Sequence, residues 1–307
     1  MKALQHFLEI SALRIFSLPI RLLPRPLALE IGAWAGALGW ATGIRRSLVL
    51  RNLAQAFPEL DRAQRLALGR RAAMNFGRTV TEFLRFAGRD RARVGDLVAL
   101  EGLDELRQAL EDNEGALIVT AHLGAWALYV TALAAAGVEA ALLVGKQNNP
   151  HVDQLILGIP GDAVRFVSKG KQAPRQILEC LQEGRVVVMV ADHYISSEAV
   201  WAPFLGRTAS TLPLPGALVA KRRMPLFLLR GLRVEGGTHR VVLRQLEVSS
   251  EFEGDDLRLE VARLSNEALG EGILDHPEQY WWYHDRWKVR GKYQQKKKIL
   301  GQPPTLG

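Results

Sequence analysis

His122 is the residue whose type and position most directly suggest chemistry. It follows an apolar run, Gly115 to Ala121, that predicts a buried parallel strand, and it precedes an alanine-rich stretch, 126–136, that predicts a helix. Open α/β sheets place their sites where strands end and helices begin. A histidine there can take a proton from a hydroxyl near neutral pH. From this residue alone, a histidine that only caps the helix or fills the turn remains an equal alternative.

Two further polar residues follow predicted strands. Lys146 comes directly after the run 140–145, and Asp192 comes directly after the run 185–191. If these strands are parallel, both side chains share one sheet edge with His122. Asp192 would then orient the imidazole and stabilise its protonated form, and Lys146 would hold an anionic group such as a phosphate. The ordinary alternatives are a capping role for Asp192 and a solvated Lys146.

The elements that must position these residues alternate between β-rich runs and helical patterns, which predicts an α/β fold with a mixed, largely parallel central sheet flanked by helices. The predicted strands are 116–121, 140–145, 163–167, 185–191, 225–234 and 239–248. The predicted helices are 103–112, 126–136, 173–183, 212–222 and 255–274. The last two strands are joined by a hairpin at 235–238, which makes the sheet mixed. The chain divides into a helical region 1–100 with a long helix at 62–86, an α/β domain 101–288 and a basic tail 289–307.

Composition and charge narrow the function classes. Apolar residues make up 48% of the 307-residue chain, which is ample for a core. The net charge of +8 is concentrated at the ends: residues 1–100 carry 16 Lys/Arg and 7 Asp/Glu, and residues 288–307 carry 6 Lys/Arg and no acid. Basic ends on an apolar chain suit an anionic membrane surface or an acidic protein partner. No zinc-finger, P-loop or RNP-type pattern supports nucleic-acid binding, so we expect none.

Several other chemistries lack their motifs. There is no G-x-S-x-G elbow, no H-E-x-x-H and no G-x-G-x-x-G after a strand, and the histidines are scattered. We therefore expect neither a metal site nor a cofactor. The single cysteine, Cys180, lies in an apolar helical pattern typical of a buried structural thiol. The attacking group is then a hydroxyl of the substrate, and the protein supplies the base.

The N-terminal region is apolar without being a clean signal peptide. Residues 3–23 include Glu9, Arg14 and Arg21, and the more apolar run 27–44 includes Glu30 and is short for a membrane span. Helices lying in the membrane interface, or packed on the domain, fit this pattern best. A buried helical hairpin and a transmembrane span are the alternatives.

The ordered motifs of the chain resemble those of the lipid A biosynthesis acyltransferases, the late lauroyl/myristoyl-type enzymes of the lysophospholipid acyltransferase group. The matching blocks are Asn52-Leu53 with Ala56-Phe57-Pro58-Glu59, Glu82, Thr120 to Trp126, Asn149-Pro150, Val190 to His193, Ala202 to Arg207 and His276 to Lys288. The block at His122 resembles H-F-G-N-W-E, and the last block resembles the h-P-e-q-W-l-W-l-H-r-R-W-K signature. The last block is long and rich in rare residues, so it is the most specific.

The resemblance implies a glycerolipid acyltransferase-like fold and transfer of a fatty acyl group to a hydroxyl of a glycolipid such as a lipid A precursor. It implies an acyl-carrier-protein or coenzyme A thioester as donor. The expected location is the cytoplasmic face of the inner membrane, with the protein peripheral or anchored by its N-terminus. An acidic carrier protein would suit the basic N-terminal region.

The resemblance also assigns roles at the site. His122 is the expected base and Asp192 its partner. Trp126 would line an acyl channel, with simple core packing as an equal alternative. Asn149 lies in a matching substrate-binding block, and Lys146 and Arg207 would hold anions. Backbone N–H groups around Gly206 and Arg207 would bind the oxyanion or an acceptor phosphate. The tryptophans of the last block are expected to pack in the core or an interface, with Arg286 paired to an internal carboxylate.

One departure from the family pattern lies at the site itself. The family's acid stands five residues after the histidine, where this chain has Ala127. Three explanations are open. Asp192 replaces that acid, or Glu198 or another carboxylate does. In the third, the protein is a weakened or non-catalytic paralogue that acts as a membrane-associated lipid-binding or scaffold protein. We favour Asp192. A separation of many ångströms between His122 and any carboxylate would favour the non-catalytic alternative.

Overall fold

The structure is a computed structural model that describes residues 19–112, 115–145, 153–154, 157–195, 199–288 and 300–301 of the 307-residue chain. Lys146, Asn149, Glu198 and most of the predicted basic tail lie outside the described residues. So does most of the apolar segment 3–23.

Seven strands form the central sheet in the order β1-β9-β8-β2-β5-β3-β4. The strands are β1 (Val98–Glu101), β2 (Ala116–Thr120), β3 (Ala140–Val144), β4 (Val164–Ser168), β5 (Val186–Val190), β8 (Leu226–Arg233) and β9 (His239–Gln245). Every neighbouring pair is parallel except β8 and β9, which run antiparallel. The predicted mixed, largely parallel sheet is confirmed.

Both faces of this sheet are covered, which explains why its strands are nearly continuous apolar runs. Side chains alternate along β2, so that Leu117 and Val119 join one buried cluster while Ala116 and Ile118 join another on the opposite face. The Cys180 thiol is buried and free, as its helical pattern predicts.

Helices flank the sheet, and the first four of them precede its first strand in the chain. They are α1 (Arg25–Ala41), α2 (Arg46–Ala56), α3 (Arg62–Phe86), α4 (Val94–Leu97), α5 (Leu103–Glu111), α6 (Trp126–Ala135), α7 (Ala173–Gln182), α8 (Leu214–Arg222) and α9 (Gly254–Asp275). The start of α3 is fixed by a capping box in which the Asp61 carboxylate accepts from the Gln64 N–H and the Gln64 side chain accepts from the Asp61 N–H.

Three strands were not predicted. The edge strand β1 has four residues, and β6 (Val200–Phe204) and β7 (Arg207–Thr211) form a separate antiparallel hairpin. Pro203 interrupts the β pattern in the sequence, and such a residue is tolerated where strands have free edges. Leu205 and Gly206, with φ of 48° and 74°, make the two-residue turn between them.

The first two helices are bent 94° to each other. Within the described residues no single helix has both the length and the apolarity to cross a membrane, and only this bent pair meets those two criteria together. Helix α1 packs along α3, and backbone approaches backbone closely at this contact because both helices present small residues. A Cβ on Gly36 would lie 2.0 Å from the Ala73 carbonyl oxygen.

Substituting Gly36 by alanine is expected to destabilise the protein by about 1–3 kcal/mol, because the methyl group has no room against the α3 backbone. Gly39→Ala in the same helix is the matched control, since its Cβ would meet nothing closer than 3.7 Å. That control should stabilise by up to about 1 kcal/mol through helix propensity. Thermal unfolding of both variants measures the difference; equal effects would contradict the close packing of α1 on α3.

Candidate active site

Parallel pairing of β2 with β5 brings His122 and Asp192 together. Thr120 pairs with Val190, so the residues two positions further along each strand emerge side by side at the carboxyl edge. The His122 Nδ1 lies 2.8 Å from Asp192 Oδ1, and the His122 backbone N–H donates to Asp192 Oδ2 at 3.1 Å. Both carboxylate oxygens are therefore engaged by one residue.

The surroundings keep Asp192 ionised. Burial, which leaves it 1% exposed, would raise the pKa of this carboxyl, but the charge and hydrogen bonds of His122 hold the pKa well below its usual range. An ionised carboxylate only accepts hydrogen bonds, so His122 carries its hydrogen on Nδ1. The remaining ring nitrogen, Nε2, is then free to accept a proton.

Three imidazoles stack at the site. The rings of His122 and His193 lie 3.9 Å apart between centroids and 6° from parallel, and His284 stacks on the other face of His193 at 4.0 Å and 18°. His284 Nε2 accepts from the Tyr194 N–H at 2.7 Å. The last motif block, His276 to Lys288, thus places His284 in the site although it lies far from His122 in the sequence.

His193 and His284 are held neutral by their surroundings. Burial, together with the charge of His122, lowers the pKa of His193 from 6.5 to about 2. Burial lowers the pKa of His284 from 6.5 to about 4, although the Asp192 charge opposes this. Of the three rings, only His122 has a carboxylate directly bonded to it, so it is the ring suited to hold a proton during a reaction.

Tryptophans wall the imidazole. Trp126, at the start of α6, packs edge-on to His122 with 5.3 Å between ring centroids, and Trp281 does so at 4.9 Å. The backbone N–H of Trp281 also donates to the His122 carbonyl at 3.0 Å. Trp281 is thus a site residue, which its expected packing role did not include, whereas Trp282 is buried in the core as expected.

Among the residues that the structure describes, Arg286 forms no ion pair with a carboxylate, contrary to the expectation. Its buried guanidinium donates instead to the Ser210 carbonyl, the Thr211 hydroxyl at 3.2 Å and the Asn266 amide oxygen at 3.4 Å. These neutral acceptors tie the last block of the sequence to the β6–β7 hairpin and to α9.

Lys169 is a cation at this sheet edge that the sequence analysis did not single out. It follows β4, which pairs with β3 at the same edge as His122 and Asp192. Lys169 is exposed, but partial desolvation of its ammonium by the surrounding residues lowers its pKa, and the Asp192 charge opposes that shift. Lys169 stands two residues past the predicted strand 163–167, whereas Lys146 and Asp192 directly follow their predicted strands, so the first position after each strand did not point to it.

The structure brings together His122, Asp192 and Trp126 but places two other predicted residues apart. Gly206 lines a surface pocket of about 380 Å³ with residues of α9, and Arg207 is exposed beside it. None of the lining residues of that pocket is His122, Asp192 or Trp126. Anion binding at Gly206 and Arg207 stays a prediction. Ala127, in the first turn of α6, is buried in an apolar cluster.

The cluster has ligand types that metals use. One atom each of His122, Asp192 and His193 lies within 4.8 Å of the others. However, imidazole binds a metal in the plane of its ring, and two face-to-face parallel rings direct their lone pairs into separate planes. This arrangement favours proton transfer at His122 over shared metal ligation.

The chain matches the family model described as bacterial lipid A biosynthesis acyltransferase over residues 1–289. It belongs to that family. The lipid A biosynthesis palmitoleoyltransferase of Escherichia coli (strain K12) is 24% identical over 274 residues, covering 87% of each chain. The lipid A biosynthesis acyltransferase of Shigella flexneri shows the same identity and coverage. The resemblance seen in the motifs is confirmed, and the protein is an acyltransferase.

Lowering the pH is expected to destabilise this family member through His193 and His284. Both are neutral when folded at pH values where an unfolded histidine is protonated, so unfolding takes up protons. The stability that these two neutral histidines contribute is fully present above about pH 6.5, the unfolded-state pKa. It is lost as the pH falls towards their folded-state pKa values. Each histidine should contribute up to about 1.4 kcal/mol per pH unit to the slope of the free energy of unfolding against pH.

Urea unfolding between about pH 7 and about pH 5 measures this slope. His193→Gln and His284→Gln should each flatten it, whereas the control His276→Gln, at a histidine whose side chain is 45% exposed, should not. An unchanged slope in both stack variants would mean that these rings are not held neutral.

Proposed function

We propose that the protein transfers a fatty acyl group from a thioester donor to a hydroxyl of a lipid A precursor, with His122 as the general base. The observation that carries this proposal is the His122–Asp192 pair, with 2.8 Å between Nδ1 and the carboxylate. The pair leaves His122 Nε2 free at the edge of the sheet where open α/β folds bind substrates. The family match supplies the reaction class, and the pair supplies the group that activates the acceptor.

The proposed reaction is a direct transfer. His122 Nε2 takes the proton of the acceptor hydroxyl, whose oxygen attacks the thioester carbonyl carbon. The tetrahedral intermediate then collapses, the carbon–sulfur bond breaks, and the departing thiolate takes the proton from His122. Asp192 stabilises the imidazolium between these two steps. The products are an ester of the glycolipid and a free thiol, and no acyl-enzyme forms.

Asp192 takes the place of the family's usual motif acid in this proposal. Ala127 has no group that could orient an imidazole, but the buried Asp192 carboxylate makes the contacts that such an acid would make, to Nδ1 and to the backbone N–H of His122. This short contact favours a catalytic protein over the non-catalytic lipid-binding or scaffold alternative. Glu198 is not needed as a substitute acid.

Other side chains at the edge suggest how the substrates bind. Trp126 and Trp281 offer apolar walls for the first carbons of the acyl chain beside His122. Lys169, at the same sheet edge, is suited to hold a phosphate of either substrate. Lys146, Asn149 and Arg207 are the other residues that we expect to contact substrate. An acyl-carrier-protein donor would complement the basic N-terminal hundred residues, and a coenzyme A thioester is the other donor to test.

In an acyl-transfer assay, His122→Ala is expected to lower kcat by about 100- to 10,000-fold, the usual contribution of a general base. Asp192→Asn keeps the shape but removes the charge, and should lower kcat by about 100-fold or more. Acyl-carrier-protein and coenzyme A thioesters are both offered, and His276→Ala serves as the control histidine. A full rate in Asp192→Asn would rule out the proposed pair. Lipid binding without turnover in the wild type would favour the scaffold alternative.

The acceptor's location in a membrane fits an unusual feature of α1. One face of this helix is buried, whereas the opposite face exposes Leu27, Ile31, Trp34 and Leu38, at 50%, 41%, 66% and 66%. Their spacing places them in a single stripe along the helix. We propose that this stripe lies in the headgroup region of the inner membrane, on its cytoplasmic face, with α1 parallel to the surface.

Positive charge surrounds one end of the stripe. Arg45 and Arg46 follow α1, and Arg70 and Arg71 directly follow Gly69, which packs against Trp40 near the end of that helix. Cations beside an apolar stripe suit the anionic lipids of an inner membrane surface.

A double variant, Trp34→Ser with Leu38→Gln, should weaken binding to anionic phospholipid vesicles by at least about tenfold, because it removes two large apolar side chains from the interface. Leu274→Gln, at a comparably exposed leucine of α9, is the matched control and should bind as the wild type does. Vesicle sedimentation measures both. Equal binding by all three proteins would contradict the proposed membrane face.

A further inference from the structure

A buried polar chain lies behind the turn that carries His122. The Ala125 backbone N–H donates to the Tyr129 hydroxyl at 2.9 Å, and that hydroxyl lies 3.2 Å from His239 Nδ1. His239 Nε2 lies 2.8 Å from the Glu82 carboxylate. The three side chains are at most 1% exposed, so this chain acts on its neighbours rather than on a substrate directly.

The three hydrogen bonds that link Ala125, Tyr129, His239 and Glu82 can all donate in the same direction, from Ala125 towards Glu82. Burial raises the pKa of Tyr129 well above its usual value, so the phenol keeps its hydrogen. With its hydrogen on Nε2, His239 donates to the Glu82 carboxylate and accepts from the Tyr129 hydroxyl on Nδ1, while the Tyr129 oxygen accepts from the Ala125 N–H. Every donor and acceptor along the chain is then used, and the Glu82 carboxylate is its final acceptor.

Two arginines hold the Glu82 carboxylate in place. Burial would raise the pKa of Glu82, but Arg233 and His239 hold it well below its usual range. Arg233 contacts one carboxylate oxygen at 2.5 Å, and Arg25 of α1 contacts the other at 2.6 Å. Arg233 also donates to the Thr79 hydroxyl at 3.0 Å, and Thr79 donates to the Gly124 carbonyl at 3.4 Å. The same ion cluster therefore reaches the turn by two routes.

The backbone of the turn is shaped around Tyr129. Gly124 has φ of +59°, and a Cβ there would lie 2.3 Å from the Tyr129 hydroxyl oxygen. A Cβ on Gly231 of β8 would lie 2.2 Å from the Tyr129 ring. Both positions require glycine for the phenol to reach Ala125, so the contact is built into the sheet and the turn.

We propose that Tyr129, oriented by His239 and Glu82, is a positioning residue that fixes the peptide at Ala125 and thereby the direction of His122. His122 and Ala125 belong to one short turn between β2 and α6. Asp192 holds the imidazole from one side, and the Tyr129 chain holds the following backbone from the other. The reaction role of this positioning rests on the proposed function, whereas the positioning itself has a structural readout.

The test is Tyr129→Phe, which removes the hydroxyl and keeps the ring. We expect kcat for acyl transfer to fall about tenfold, with both KM values changed less than about twofold, because a misdirected base slows the chemical step and leaves binding intact. The Ala125 amide should exchange its hydrogen at least about tenfold faster, and the NMR signals of the His122 ring should shift. His239→Gln should act in the same direction, and its effect should not add to that of Tyr129→Phe.

Thr131→Val is the matched control. Thr131 lies on the same helix, is buried, and donates only to the Ala127 carbonyl within that helix at 3.1 Å. All readouts should stay at wild-type values in this variant. Unchanged kcat, amide exchange and His122 signals in Tyr129→Phe would overturn the proposal, as would equal losses in Thr131→Val.

The two proposals fail in different ways. If the wild type transfers no acyl group, the proposed function fails, and the amide exchange and the His122 signals alone decide whether Tyr129 positions the turn. If the wild type is active and Tyr129→Phe equals it in every readout, only the positioning proposal fails.

Discussion

The parallel pairing of β2 with β5 is the constraint on which the site depends. Because Thr120 pairs with Val190, the next two residues of each strand bring an imidazole and a carboxylate within one hydrogen bond. A shift of one residue in this register would turn one of the two side chains to the opposite face of the sheet. Two buried apolar clusters, one on each face, hold the register, so the packing of the whole sheet supports the geometry of a single pair.

The pair lies between two different environments. On one side it meets two stacked imidazoles, whose pKa values are lowered, and two tryptophan rings packed edge-on to His122. Towards the interior, the following turn meets a chain of hydrogen bonds that ends in ionised Glu82. Arg25 connects that cluster to α1, the helix whose opposite face is apolar and exposed. The helix with the exposed apolar stripe and the turn that follows His122 are thus tied to the same buried charges.

The sequence was sufficient for six of the seven strands of the central sheet and for the His122–Asp192 pair, because both depend on local patterns, whereas the four-residue edge strand β1 was missed. Apolar runs locate the strands, and a polar residue directly after each run lies at the shared edge. The contributions of Trp281 and His284 could not be predicted in this way. They depend on where the last block of the chain folds back, which no local period reports. Arg286 shows the same limit, since its neutral acceptors come from the β6–β7 hairpin and α9, two elements distant from it in sequence.

The most direct measurement is a crystal structure of the protein with a non-hydrolysable acyl-thioester analogue and a lipid A precursor bound together. The account predicts that an acceptor hydroxyl oxygen lies within about 3.2 Å of His122 Nε2, in line with the thioester carbonyl carbon, while Asp192 keeps its bond to Nδ1. A complex in which the hydroxyl and the carbonyl meet elsewhere, such as the pocket beside Gly206, with His122 Nε2 out of reach of both, would contradict it.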